Sequence, residues 1–181
     1  MATLTGAPAE LAAAAVLSLL LVIACVTDVR ARRIPNWLVA TILVGGVLVT
    51  TAFDPVIPGV LRAMAGVAVG LAIWLPGWLL RMMGAGDVKL FAAAGAWLGP
   101  AGAVNAAIAA AVLGGLLALI WLFVRRGGAG TRRTLWAAAV APRTLVDARS
   151  DPKSMRELVP YSLAIAGSVV VQLAFPGLLL G

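Results

Sequence analysis

The chain has 181 residues, 62% of them hydrophobic, with 14 basic and 7 acidic side chains and a formal net charge of +7. A mean hydropathy of +1.05 lies far above the roughly half-apolar composition of soluble domains, so the positive charge belongs to a membrane protein and no nucleic-acid partner is expected. There is no histidine and one cysteine, which excludes a Ser-His triad, a Cys-His dyad, a His-ligated metal, a CxxC zinc pair and an internal disulfide.

Runs of about 17 or more apolar residues recur, each long enough to cross a bilayer. The sequence predicts an all-α fold of six transmembrane helices, forming a single membrane-embedded domain over 1–181. The first spans about Glu10 to Thr27 and ends at DVRARR. No basic residue precedes it and its arginines follow it, unlike a secretory signal. The second runs from Trp37 to Phe53 and stops at Asp-Pro, and the third from Val56 to Leu80, ending at RMMGAG. The fourth, Asp87 to Leu98, is short and ends at GPAG. The fifth is Ala103 to Val124 and the sixth Val159 to Leu180. A basic loop at about 125–157 separates these two and contains the apolar patch LWAAAV. That loop reads either as a short helix lying on the membrane surface or as a solvated linker near anionic lipid.

Charge orients the spans. If six segments alternate, every one of the 14 basic residues except Arg62 falls on one side. The positive-inside rule then places both termini outside and these loops in the cytoplasm. The location expected is the cytoplasmic membrane, with the lipid bilayer as a constant partner.

The same topology puts Asp28 at the cytoplasmic end of the first span and Asp87 at the cytoplasmic start of the fourth. Glu10 and Asp54 fall on the outer side, and Asp147, Asp151 and Glu157 in or beside the basic loop. Without histidine, proton chemistry must fall to Asp, Glu, Lys, Tyr or the lone Cys. Two carboxylates at one depth share a proton, so that one can act as base while the other acts as acid. Such a pair hydrolyses peptide bonds with no metal or other cofactor. Each aspartate also has a simpler reading. Asp28 suits an interfacial ion pair with Arg32 at i, i+4, and Asp87 suits the N-cap of the fourth span.

The residues around the two acids resemble a known family. Gly84-Ala-Gly86-Asp87-Val-Lys89-Leu matches the GxGD motif of intramembrane aspartyl proteases, with the trailing Lys-Leu of the type IV prepilin peptidases. Asp28, followed six residues later by Ile34-Pro35-Asn36, matches that family's other signature. Val-Pro-Tyr at 159–161, then Leu-Ala-Ile-Ala-Gly, is similar to its last span. The resemblance implies that Asp28 and Asp87 are the catalytic pair. It implies that Gly84 and Gly86 let the backbone approach substrate or a facing helix. Ile34, Pro35 and Asn36 would fix the turn that aims Asp28, with Asn36 capping the second span. Lys89 would play a supporting role, since two residues beyond Asp87 on a helix it points away from it. The implied substrate is a prepilin, a basic leader followed by a hydrophobic helix, with pilus assembly machinery as a further partner. Longer members carry an N-terminal region with paired cysteines linked to N-methylation. This chain starts at its first span with one cysteine, so it resembles the short form found with tight-adherence (Flp-type) pili, and methyltransferase activity is expected to be absent.

Other polar residues read more simply. Cys25 suits apolar packing, although it lies three residues before Asp28. Tyr161 suits an interfacial anchor, and Asn105 and Gln172 suit bonding between helices. Competing functions are a proton-coupled carrier, a non-catalytic scaffold of a pilus or secretion assembly, and a presenilin-like GxGD protease. Both acids sit at the ends of their spans and no inverted repeat is visible, which argues against a carrier.

Overall fold

The computed structural model describes residues 8–31, 33–80, 83–140 and 162–175. All secondary structure among them is helical: α1 (Pro8–Ala31), α2 (Asn36–Phe53), α3 (Val56–Leu79), α4 (Ala85–Val140) and α5 (Ser162–Ala174). The Val-Pro-Tyr triplet, the rest of the basic loop from 141 to 157, Arg32 and Arg81 lie outside the described residues.

Proline sets two of the boundaries. Pro35 and Pro55 occupy the N-cap positions of α2 and α3 in extended or near-extended backbone, with no side-chain capping bond. A proline has no N–H to lose at a helix start, so it begins a helix cheaply and cannot prolong the one before it. The backbone N–H of Asp54 still closes α2 by donating to Thr50 O, and Pro55 then turns the chain into α3.

Among the described residues, four stretches are long and apolar enough to cross a membrane: Pro8–Ala31, Asn36–Phe53, Val56–Leu79 and Ala85–Ile120. Ser162–Ala174 is a shorter apolar helix. The expected fourth and fifth spans therefore fall within one helix, α4. Its backbone is interrupted where GPAG predicts a break: Gly99 has φ +69°, a left-handed conformation that glycine adopts without a Cβ penalty, and Pro100 follows. On either side of this residue the neighbours run in opposite senses. Before it, Gly86 lies on Ile34, Phe91 on Gly70, Gly95 on Gly66 and Gly99 on Arg62. After it, Gly102 lies beside Gln172 and Leu113 beside Gly167. The helix turns back on itself at Gly99, giving a first limb of residues 85–98 and a second limb beyond it.

The second limb is helical through Val140. Residues 125–140, expected to open a loop, are thus helical, and the LWAAAV patch continues α4 instead of forming a separate surface helix. The GGAG stretch at 127–130 lowers helix propensity without ending the helix.

Small residues bring the helices close, as in membrane bundles generally. Gly66 of α3 and Gly95 of α4 meet backbone to backbone, and a Cβ on either would overlap the other's main chain. Trp74 and Phe91 pack edge to face across the same interface at 5.8 Å. A second junction joins α4 to α2. Gly46 leaves room for Trp97, whose indole Nε1 donates to Ile42 O at 2.7 Å. The buried core is built from Leu17, Leu21, Leu38, Ile42, Leu90, Phe91, Ile165 and Val169 with many alanines, while large apolar side chains such as Leu19, Leu48, Ile57 and Val112 face outward. That outward face suits lipid, not water.

Candidate functional site

The two signature aspartates reach one place from different helices. Asp28 lies in the last turn of α1 and Asp87 in the first turn of α4. A cleft of about 310 Å³ is lined by both, together with Ile34 and Asn36, Gly84 and Gly86, and Lys89. Arg33 and Ala85 complete its wall. Of the eight residues singled out from sequence, only Pro35 does not line it; it supports the cleft as the N-cap of α2. α1 packs against α2 and α5, whereas α4 packs against α2, α3 and α5. The helices bearing the two acids are therefore joined mainly through their shared neighbours.

Gly84 and Asp87 explain each other. The first bond of α4 runs from Val88 N to Gly84 O at 3.4 Å, which makes Gly84 the N-cap. Asp87 is then the third helical residue, and its carboxylate accepts the Gly84 backbone N–H. This is one half of a capping box, in which the N3 acid reaches back to the N-cap amide. The capping reading of Asp87 is thus right in kind and displaced by three residues. A Cβ at Gly84 would lie 3.3 Å from Asp87 Oδ2, so glycine keeps that approach open. Gly86 faces the Ile34 side chain, where a Cβ would lie 3.5 Å from Ile34 Cβ. The Ile-Pro-Asn and GxGD signatures are therefore in direct contact.

One expectation needs correction and another a refinement. Asn36 does not cap α2: Pro35 holds that position, no side chain caps it, and Asn36 is the first helical residue. An Ile-Pro pair already fixes the approach to the helix, leaving the Asn36 side chain exposed at the cleft wall. Lys89, expected to point away from Asp87 in a supporting role, is exposed yet shares its cleft, because the cleft wraps around the open end of the first helical turn. The cleft holds two acids and two basic residues, Arg33 and Lys89.

Sequence reading missed one contact altogether. Ser162, the first residue of α5, is fully buried and its Oγ donates to Asp28 Oδ2 at 2.7 Å. Cys25 Sγ in turn donates to Ser162 O at 3.3 Å, so the lone cysteine joins α1 to α5 and does more than fill space. The only signal for Ser162 was its place directly after Val-Pro-Tyr. Among the described residues no group of three or more acids or cysteines could hold a metal ion.

The arrangement brings two carboxylates to one cleft, one held by a serine hydroxyl and the other by a main-chain amide. Comparison with known proteins gives this geometry its context. Residues 15–119 match the model of the type IV leader peptidase family. A prepilin leader peptidase/N-methyltransferase of Dickeya chrysanthemi is 35% identical over 107 residues, covering 55% of this chain and 37% of the relative. Proteins of the same name from Xanthomonas campestris pv. campestris and Pectobacterium carotovorum subsp. carotovorum are 33% and 36% identical, covering 62% and 61% of this chain. The chain matches about two fifths of the length of these relatives. No solved structure matches it. A match that takes in Asp28, Ile34-Pro35-Asn36 and Gly84-Ala-Gly86-Asp87 within more than half of the sequence shows that this multi-pass membrane chain belongs to the type IV leader peptidase family.

Proposed function

We propose that the chain is a membrane aspartyl endopeptidase that removes the leader peptide of type IV prepilins of the Flp kind, with Asp28 and Asp87 as the catalytic pair. The observation that carries this reading is the shared cleft: two carboxylates from different helices, at one end of the bundle, with both family signatures in its wall. One aspartate takes a proton from water, the resulting hydroxide attacks the scissile carbonyl, and the other aspartate protonates the leaving amide nitrogen. The peptide bond is replaced by a carboxyl group on the leader and an amine on the mature pilin, and the pair still holds its one proton, now on the other aspartate. No cofactor takes part.

Gly84 supports the reaction by holding Asp87 through its amide, and Ile34 by packing on Gly86. Pro35 aims the turn between α1 and α2. Asn36 and Lys89 stand where they would touch the substrate backbone or its polar flank. In this reading the chain is one peptidase domain of six spans, the two limbs of α4 counting as the fourth and fifth. Its termini lie outside and its cleft faces the cytoplasmic side of the cytoplasmic membrane. Pilus assembly machinery then receives the product, and N-methyltransferase activity is absent.

A carrier would need its acids near the bilayer midplane, whereas Asp28 and Asp87 are at helix ends. A scaffold would not need them at all. Co-expression with a small prepilin separates these readings. The native chain should shorten the pilin, and Asp28→Asn and Asp87→Asn should each leave it full length while still inserting into the membrane. Cleavage retained by either variant would refute the two-aspartate assignment.

A further inference from the structure

The two acids are not held alike. Asp87 is anchored within its own helix, by the amide of Gly84 three residues earlier. Asp28 has its anchor on another helix. Ser162 reaches it from the start of α5, 134 residues away in sequence, at 2.7 Å. The Ser162 side chain is fully buried, and a buried hydroxyl without a partner is costly, so this bond ties α5 to α1. Cys25, one turn before Asp28, adds a second tie by donating to the Ser162 carbonyl at 3.3 Å. The two bonds bracket one residue at the depth of the cleft.

The terminal torsion of an aspartate is broad and roughly two-fold, so the carboxylate needs an outside anchor if it is to present one oxygen in a fixed direction. We infer that Ser162 is a positioning residue for the proposed hydrolysis: its hydroxyl holds Oδ2 of Asp28 and thereby sets the orientation of the carboxylate in the cleft. The inference rests on Asp28 being one of the catalytic pair. It gives α5 a task in the reaction without contact with substrate. It also gives a reason for a serine, in place of a further alanine, at the head of an otherwise apolar helix.

The test is steady-state cleavage of a purified prepilin by the full chain in detergent, comparing native, Ser162→Ala, Ser162→Thr and Asp28→Asn proteins, with thermal melting of each. Loss of the anchor should lower kcat of Ser162→Ala roughly tenfold or more, since small misplacements of a reacting group are costly. KM should stay within about twofold, because Ser162 does not touch substrate. Ser162→Thr, which keeps the hydroxyl, should recover most of kcat. Should Ser162→Ala fail to fold, Ser162→Cys takes its place: it preserves the volume, offers only a weak donor, and should show the same fall in kcat. Native kcat in a folded Ala or Cys variant would overturn the inference, as would a loss confined to KM. A folded Thr variant as slow as the Ala variant would do so as well. Full cleavage by Asp28→Asn is a different failure, since it removes the two-aspartate reading itself whatever Ser162 does.

Discussion

The two ends of the bundle use carboxylates in opposite ways. At one end Asp54 closes the turn between α2 and α3, and Arg62 donates to its Oδ2 at 2.9 Å. The same arginine lies against Gly99, where α4 turns back. Acid and base neutralise each other there in a partly exposed pair, with side-chain exposures of 41% and 33%. At the other end Asp28 and Asp87 face one cleft, and among the described residues their anchors are a hydroxyl and a main-chain amide. Neither anchor carries charge. A neutralised carboxylate can hold a turn. A carboxylate held by neutral donors beside a second acid keeps its capacity to exchange protons. Under the proposed function, the difference separates a latch from a reactive pair more clearly than the count of acidic residues does.

The comparison can be broken most directly at the reactive end. Asp28→Asn or Asp87→Asn should reduce prepilin cleavage by about a thousandfold or more, on the scale seen when a member of a catalytic unit is removed, whereas Asp54→Asn should leave the rate unchanged in the same gel-shift assay. The next largest effect is on folding. Gly66→Val places bulk where α3 and α4 touch main chain to main chain, and overpacking of this kind costs about 1–3 kcal/mol or more. A clear fall in the melting temperature, or loss of folded protein, is expected, and an unchanged melting curve would contradict the close approach. Gly84→Ala brings a methyl within 3.3 Å of Asp87 Oδ2. It should slow cleavage by roughly tenfold with little change in melting, because it disturbs a reacting group and not the core. Gly86→Ala meets Ile34 at ordinary contact distance and should act within about threefold, below the disturbance that misplaces a reacting group. Arg62→Gln, at the latch, should lower stability by about 1 kcal/mol or less, as exposed ion pairs do, and leave kcat intact.

Most of the cleft was legible in the sequence because its wall comes from two short local motifs. Spacing within Asp28 to Asn36 and within Gly84 to Lys89 is set by chain geometry, so each motif carries its own shape wherever it is placed. The corrections arise where that shape depends on competition or on packing. Asn36 lost the capping position to its proline neighbour, a local contest that a rule about Asn at N-caps does not weigh. Lys89 was expected to point away from Asp87, yet it shares the cleft because the wall is formed also by the α1–α2 turn. Ser162 was invisible for a different reason: its meaning lies entirely in α5 docking beside Cys25 and Asp28, and no sequence interval encodes that. The fold divides in the same way. Helical class and the break at Gly99 follow from apolar runs and a Gly-Pro pair. The continued helix through 125–140 does not, because glycines within a helix lower its stability without forbidding it.

The turn at Gly99 has a consequence for where the first limb of α4 sits. The limb of α4 before it, residues 85–98, rises only about 21 Å at 1.5 Å per residue, against a hydrocarbon layer of about 30 Å. Lengthening this rod would require Gly99 and Pro100 to move, and Arg62 and the Gly66–Gly95 contact hold them in place. A lipid-facing span this short would call for local thinning of the bilayer, but residues 90–97 are buried within the bundle, so neighbouring helices and not lipid surround the rod. The short rod thus sits inside the protein, one end at the Gly99 turn and the other, at Asp87, opening on the cleft.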